Sequence, residues 1–198
     1  LRVTPLATPV AEQACVGSAN AFATGQGAEP TAAGQDPATT DRFFSDIRQD
    51  QSVLAADRRQ GNFQRDFIDF SGRLISQNRL DNARRYARDL DSLFDRIEAE
   101  YGVSRGVLLA FWAFETDFGQ VQGDFNTANA LATLAHDCRR PELFRPQVFA
   151  ALSLYERGDF SLSTTGAWAG EIGQVQMLPR DILENGRDGD GDGHVTLK

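Results

Sequence analysis

Glu115 directly follows the apolar run Val107–Phe114, in which six of the eight residues are large and apolar and the other two are Ala. A carboxyl group at the end of such a run is expected to be poorly hydrated, and desolvation raises the pKa of a carboxyl group because it disfavours the charged form. A carboxyl group that keeps its proton near neutral pH can donate that proton to a leaving oxygen. We therefore interpret Glu115 as a candidate general acid, with an outward-turned Glu at a helix end as the alternative.

A second segment with chemical potential is Gly166–Pro179, in which three glycines within eight residues permit close approach of the backbone to a ligand. Gln174 and Gln176 supply hydrogen-bond donors and acceptors that suit sugar hydroxyl and acetamide groups. We expect Met177 to pack beneath them. The alternative is a tight turn that leads into a short helix and stops before Pro179.

A third segment places Asp188, Asp190 and Asp192 at alternate positions, followed by Gly193. This pattern is the first half of an EF-hand loop, in which carboxylates at positions 1, 3 and 5 bind Ca²⁺ and the residue after the glycine offers its backbone carbonyl. His194 would be that fourth ligand. Because the loop's last carboxylate would fall one place beyond the chain end, we expect weak Ca²⁺ binding, with an acidic turn without metal as the alternative.

The chain has 198 residues, a net charge of −8 and 41% hydrophobic residues, enough for one large or two small domains. No cluster of Lys and Arg forms a basic stripe, so a nucleic-acid partner is not expected. No transmembrane segment or signal peptide is recognised, and no phosphate-cradling loop or zinc pattern indicates an organic cofactor or zinc. Cys15 and Cys138 can form one disulfide or stay free thiols.

The elements that must position these residues are mostly helices. Residues 1–35 are rich in Ala, Thr, Pro, Gly and Gln and predict an extended or loosely packed arm. Apolar spacing and capping residues predict helices that start at Asp36–Pro37 and that span Asn62–Gln77, Arg79–Tyr101, Arg105–Phe118, Thr127–Ala135 and Arg145–Glu156. For the Asn62–Gln77 helix, an interruption near Gly72 is the alternative. Ser104 is the expected cap of the helix that carries Glu115. Since that helix is apolar nearly all round, we predict that it lies inside the molecule.

From about residue 53 onward, ordered stretches of the sequence resemble the lytic murein transglycosylases of the B type, membrane-bound and soluble enzymes that are lysozyme-like. The matching stretches are Asp57–Phe63, Tyr101–Val103, Phe114–Gly119, Ala130–Leu134, Arg139–Arg140, Gly166–Pro179 and Asp188–His194. The resemblance implies a mainly α fold, with a lysozyme-like catalytic core and an EF-hand-like calcium loop, preceded by a small helical domain. We place the helical domain at residues 36–100 and the core at residues 101–198.

The resemblance also implies the chemistry. Glu115, in the Glu-Thr-x-x-Gly motif, would be the sole catalytic acid and base, and the enzyme would cleave the β-1,4 bond between N-acetylmuramic acid and N-acetylglucosamine in peptidoglycan. The C6 hydroxyl of the same muramic acid would attack C1 and leave a 1,6-anhydro sugar. The substrate-binding residues would be Glu171, Gly173, Gln174, Gln176 and Met177, and an acidic residue at position 171 can change the chemistry of the site. The expected location is the periplasm, and the expected partners are peptidoglycan glycan strands and cell-wall machinery.

Two departures from the family pattern keep other functions open. Ala167 stands where a Ser is common in the family, and the family continues past the acidic loop, so that the core is interpreted as truncated after Lys198. A non-catalytic, calcium-tuned peptidoglycan-binding or scaffold protein is therefore the first alternative. A calcium-loop adaptor without affinity for murein is the second.

Overall fold

The computed structural model describes residues 34–59 and 66–196. Cys15, and the predicted arm apart from Gly34 and Gln35, lie outside these described residues, as does Phe63. The described helices are α1 (Pro37–Ser45), α2 (Gln51–Arg58), α3 (Phe67–Leu74), α4 (Gln77–Asp89), α5 (Asp91–Tyr101), α6 (Arg105–Thr116), α7 (Thr127–His136), α8 (Pro141–Arg157) and α9 (Pro179–Asn185). Two short strands, β1 (Phe125–Asn126) and β2 (Thr165–Gly166), pair in an antiparallel arrangement.

Short polar side chains begin several helices, because they accept hydrogen bonds from backbone N–H groups that have no partner inside the helix. Asp36 accepts from the backbone N–H of Thr39 at 2.8 Å, and Pro37 follows it at the first helical position. Asn126 accepts from the N–H of Asn129 at 2.9 Å and begins α7 in the same way. The predicted start of α1 is therefore confirmed.

The larger hydrophobic core is built on α7 and α8, with side chains from α1, α2 and α9 packed against them. Eight of the ten residues of α7 are buried, which explains why its short and mostly apolar sequence shows little amphipathic pattern. The largest side chains in this core that are fully buried are Phe43, Val53, Leu131, Leu134, Phe144, Leu152, Leu154 and Ile172.

A smaller core joins α4, α5 and α6. Phe94 and Phe118 are buried there, and the ring of Tyr86 lies 4.7 Å from the ring of Trp112 and 5.1 Å from that of Phe118, between centroids. The predicted helix Arg79–Tyr101 is two helices, because the chain leaves helical geometry at Leu90, which has φ −113° and ψ 26°.

The prediction that the Glu115-bearing helix lies inside the molecule is wrong. Leu109, Ala113 and Thr116 form one buried face of α6, at intervals of four and three residues. The other face, at the same intervals, is exposed: Val107 is 48%, Phe111 59% and Phe114 44% accessible. The physical reason is that, of the helices, α4 and α5 pack on α6. An apolar sequence does not specify how many sides of a helix find a partner.

The segment after α6 is tied to the Gly-rich segment by the strand pair, in which Phe125 lies opposite Gly166 and Asn126 opposite Thr165. A second turn inside the Gly-rich segment is closed by Ile172 and Met177, whose backbone groups exchange hydrogen bonds of 2.9 and 3.0 Å. We call residues 166–177 the Gly-rich hairpin. It brings Gln174 against α6.

Candidate active site

Glu115 occupies the last turn of α6, and its side chain is exposed. The expectation that the apolar run would desolvate this carboxyl group is therefore wrong. Phe111 and Phe114, which were expected to bury it, are themselves open to solvent. The outward-turned alternative describes the free protein correctly, so the structure places Glu115 where a ligand can reach it.

The backbone immediately after Glu115 makes a left-handed turn. Asp117, Phe118 and Gly119 all have positive φ angles, of 52°, 61° and 83°. This conformation is costly for residues with a side chain, on the order of 1 kcal/mol each, and it persists only where the surroundings fix it. Arg79 of α4 provides one such restraint, since its guanidinium donates to the Asp117 carboxylate at 3.0 Å and to the Leu74 carbonyl at 3.0 Å.

Two hydrogen bonds lock the Gly-rich hairpin onto α6. The Thr116 hydroxyl, adjacent to Glu115, donates to the backbone carbonyl of Gln174 at 2.5 Å. The indole N–H of Trp112 donates to the side-chain oxygen of Gln174 at 2.6 Å. Thr116 Oγ1 also accepts from the N–H of Gly119 at 2.9 Å, so that one buried hydroxyl connects the helix, the left-handed turn and the hairpin.

The hairpin contains glycines where a side chain would collide. A Cβ atom on Gly166 would lie 2.1 Å from the Glu171 carbonyl oxygen. One on Gly170, which has φ +89°, would lie 2.2 Å from a methyl carbon of Leu131 in α7. Close packing within the protein therefore requires glycine at these positions. The sequence alone could not distinguish this structural role from close approach of a ligand.

The predicted substrate-binding residues are brought together on this hairpin, with their polar groups partly used by the protein itself. Gln176 donates to the carbonyls of Gln122 at 3.2 Å and Gly173 at 3.0 Å. The expectation that Met177 packs beneath the glutamines is wrong, because its side chain is 39% exposed. Gly173, Gln174 and Met177 line a cavity of about 400 Å³ that extends to α9.

Glu171 is the second carboxyl group of the site. It is half-buried, and burial raises its pKa, with the nearby charge of Glu115 acting in the same direction. Its own backbone N–H and the charge of Arg140 act in the opposite direction. The charges that act on Glu171 thus come from Glu115 and Arg140, residues that lie far from it in the sequence.

Arg140 is anchored by a carboxylate in the protein interior. Asp57 of α2 is 1% exposed and forms ion pairs with Arg140 and with Arg139, the latter at 2.7 Å. The Arg140 guanidinium also lies over the ring of Phe144, 5.1 Å from its centroid. The sequence identified Asp57 and Arg140 as parts of matching stretches but gave no role for them, because residues 83 positions apart show no periodic relation.

The acidic loop brings together the three predicted carboxylates. One oxygen atom from each of Asp188, Asp190 and Asp192 lies within 4.8 Å of the others. Asp188 accepts from the N–H groups of Gly193 at 2.8 Å and Gly191 at 2.6 Å, and these bonds hold its pKa below the ordinary value.

His194 joins the acidic loop to the rest of the protein. The His194 ring contacts the buried carboxylate of Asp159 at 3.3 Å and so fastens the acidic loop to the end of α8. Whether the His194 carbonyl binds a metal stays a prediction.

Cys138 is disulfide-bonded, while the chain's other cysteine, Cys15, lies outside the described residues.

A family model described as the transglycosylase SLT domain matches residues 18–198. The chain belongs to this family. The predicted resemblance is confirmed by Membrane-bound lytic murein transglycosylase B of Escherichia coli (strain K12), which is 27% identical over 134 residues, or 66% of this chain and 37% of that protein.

Solved structures of this transglycosylase family agree with the fold. SltB3 from Pseudomonas aeruginosa in complex with NAG-anhNAM-pentapeptide has a TM-score of 0.84 and 30% identity, covering 91% of this chain and 48% of that chain. Escherichia coli Slt35 in complex with calcium has a TM-score of 0.76 and 23% identity, covering 97% and 63%, and shows likeness of fold alone. The mainly α, lysozyme-like architecture is thus confirmed. The chain spans about half the length of SltB3 and 37% of transglycosylase B.

Proposed function

We propose that this protein is a lytic transglycosylase that cleaves the β-1,4 MurNAc–GlcNAc bond of peptidoglycan. The observation that carries the proposal is the placement of Glu115, in a chain of the SLT family, on a helix end locked to the Gly-rich hairpin. A relative of this chain is named as a lytic murein transglycosylase, and SltB3 is in complex with NAG-anhNAM-pentapeptide.

In the proposed reaction, Glu115 donates a proton to the glycosidic oxygen as the C1–O bond breaks. It then accepts the proton of the C6 hydroxyl, whose oxygen forms a new bond to C1 of the same muramic acid. One proton leaves Glu115 and one returns, so no water is consumed and the product is a 1,6-anhydro sugar. Ordinary glycosidases need a second carboxyl group as nucleophile or base. An internal hydroxyl nucleophile removes that need.

The exposure of Glu115 in the free protein is compatible with this role. A saccharide that lies between α6 and the Gly-rich hairpin displaces water from the carboxyl group and strengthens electrostatic interactions there. Gly173, Gln174, Gln176 and Met177 lie on the hairpin that would face the sugar. We infer that they form its binding surface.

The test is digestion of purified murein sacculi followed by mass analysis of the soluble products. Wild-type protein should release 1,6-anhydromuropeptides, and Glu115→Gln, which keeps the shape of the side chain but cannot donate a carboxyl proton, should release none. Glu98→Gln removes an exposed acid from α5 and is the matched control. Anhydro products from Glu115→Gln at the wild-type rate would remove Glu115 from the mechanism.

A non-catalytic peptidoglycan-binding or scaffold protein is the second candidate. The exposure of Glu115 favours it, because the neighbouring apolar residues Phe111 and Phe114 are themselves open to solvent and do not exclude water from the carboxyl group. Sedimentation with sacculi, measured beside product release, separates the two functions. Binding without soluble products at any pH from 4 to 8 would support the scaffold.

We propose further that the acidic loop binds Ca²⁺ weakly. The donor set suits this ion, since Asp188, Asp190 and Asp192 present carboxylate oxygens, the ligands that Ca²⁺ prefers, near one point. Calcium should raise the melting temperature of wild-type protein and not that of Asp190→Asn, with Asp181→Asn on α9 as control. A calcium-dependent melting temperature without affinity for sacculi would favour the calcium-loop adaptor.

The cellular setting follows from the proposed substrate. Among the described residues no helix combines the length and the apolar character needed to cross a bilayer. We infer a periplasmic location, with glycan strands as the substrate and cell-wall machinery as partners. Fractionation with sacculi tests this inference. The division into residues 36–100 and 101–198 also stays a prediction, which limited proteolysis can test.

A further inference from the structure

Arg79 ties the end of the Glu115 helix to the corner between α3 and α4. Its guanidinium donates to a carboxylate oxygen of Asp117 at 3.0 Å and to the backbone carbonyl of Leu74, the last residue of α3, at 3.0 Å. Arg79 lies in the first turn of α4, where its backbone N–H donates to the capping hydroxyl of Ser76 at 3.2 Å. The backbone and the side chain of Arg79 are therefore both held by this corner.

Asp117 needs an outside partner because its backbone is strained. It ends α6 in the left-handed conformation, with φ 52° and ψ 50°, and Phe118 follows with φ 61°. Residues with a Cβ atom leave this conformation unless contacts around them oppose the change. The side chains of Arg79 and Asp117 are 23% and 28% exposed, so water screens this pair less than a surface pair. The charged hydrogen bond therefore opposes relaxation of the helix end.

The contact with α4 differs in kind from the contact with the Gly-rich hairpin. Thr116 donates to the backbone of Gln174, which belongs to the proposed sugar-binding surface. A hairpin that adjusts to a saccharide would carry this contact with it. Helix α4 packs on α6 and holds none of the residues of that surface. Arg79 therefore fixes the end of α6 against a part of the protein outside the proposed binding surface.

We propose that Arg79 is a positioning residue for the reaction, which acts through Asp117 to hold the last turn of α6 and so the place of Glu115. This inference rests on the proposed lytic transglycosylase function. In this role Arg79 transfers no proton, and its effect passes through the backbone of residues 116 and 117. Because a misplacement of about 1 Å can lower a rate by about a hundredfold, a loosened helix end should reduce turnover more than substrate binding.

Amide hydrogen exchange without substrate tests the restraint directly. The N–H groups of Asp117 and Phe118 donate to backbone carbonyls of α6 at 3.1 and 3.0 Å, so their exchange reports opening of the helix end. In Arg79→Gln both amides should exchange about tenfold faster, the effect of losing one net hydrogen bond. Arg84→Gln breaks an exposed pair with Asp81 on the same helix and should leave both rates unchanged. Wild-type exchange in Arg79→Gln would overturn the inference, whatever the activity of the protein.

The second measurement is steady-state cleavage of soluble glycan strands. In Arg79→Gln, kcat should fall about tenfold while KM stays near the wild-type value, because the loss is one of geometry and not of contact with the substrate. Arg79→Lys keeps the charge but not the planar fork of donors, so it should recover part of kcat. Arg84→Gln should match the wild type in both constants. A raised KM with a wild-type kcat in Arg79→Gln would assign Arg79 to binding and overturn the inference.

Asp117→Gly separates positioning from stability. Glycine adopts a positive φ without steric cost, so this variant removes the contact and relieves the strain together. Its melting temperature should be higher than that of Arg79→Gln although kcat falls equally, and the double variant should lose no more kcat than either single one. Losses of kcat that multiply, or that follow the melting temperature across the variants, would refute the positioning role. An inactive wild type refutes the proposed function, and the exchange rates still decide whether Arg79 fixes the helix end.

Discussion

Neutralising Asp57 should destabilise the fold far more than neutralising an exposed carboxylate. Asp57 is 1% exposed and lies between the guanidinium groups of Arg139 and Arg140. Asp57→Asn keeps the shape of the side chain and leaves two cations without their partner. Breaking a buried ion pair in this way costs about 3–5 kcal/mol. Because the two Arg side chains are 46% and 32% exposed, water screens part of the loss, and we expect about 2–3 kcal/mol.

Urea denaturation at pH 7, followed by circular dichroism, measures this loss as a lower midpoint with an unchanged slope. Asp69→Asn is the matched control, since Asp69 pairs with Arg73 at 3.3 Å on the exposed side of α3. Such a pair contributes about 0.3–0.5 kcal/mol. Equal midpoints for the two variants would refute the assignment of Asp57 as the buried anchor of Arg140.

Three further outcomes are expected from the site and its frame. Thr116→Val removes the hydroxyl that bonds Gln174, and its thermal melt should show a loss of about 1–3 kcal/mol, the cost of leaving buried partners unpaired; a wild-type melt would contradict this. Gly170→Ala forces a Cβ against Leu131 at positive φ and should cost about 2–4 kcal/mol in urea titrations. The pKa of Glu171 in the folded protein is raised above its ordinary value of 4.5. As pH rises past that value, the native state therefore keeps more of this proton than the unfolded state does, and stability falls. Glu171→Gln should therefore be more stable than wild type at pH 8 and equal to it at pH 4, and a gain that is the same at both pH values would refute the cause.

Local chemistry explains which parts of the fold could be predicted. The start of α1 at Asp36–Pro37 and the start of α6 at Arg105 are fixed by residues next to them in the chain, although the Ser104 side chain makes no capping hydrogen bond. The predicted start of α8 at Arg145 is wrong by four residues. The helix begins at Pro141, and Pro146 lies inside it.

Long-range contacts explain what could not be predicted. The apolar residues of α6 gave its secondary structure but not its exposed face, because burial depends on which elements pack against it. The link from Asp57 through Arg140 to Glu171 crosses three separate segments, and no spacing rule connects them. A single sequence could place Glu171 in the hairpin but could not reveal the two charges that act on it.

The end of α6 combines a rigid backbone with a solvent-exposed Glu115 side chain, and this combination determines how the proposed acid must work. Thr116 and Asp117 are each tied to another element, so the position of the intervening peptide next to Glu115 is fixed before a ligand arrives. The Glu115 carboxyl group itself remains exposed to solvent. Phe111 and Phe114, the large apolar residues nearest to it in the chain, are 59% and 44% accessible, so the free protein has no apolar wall there. A saccharide bound against this helix end would displace water from the carboxyl group and strengthen its electrostatic interactions, so the proposed acid depends on its substrate for a dry environment.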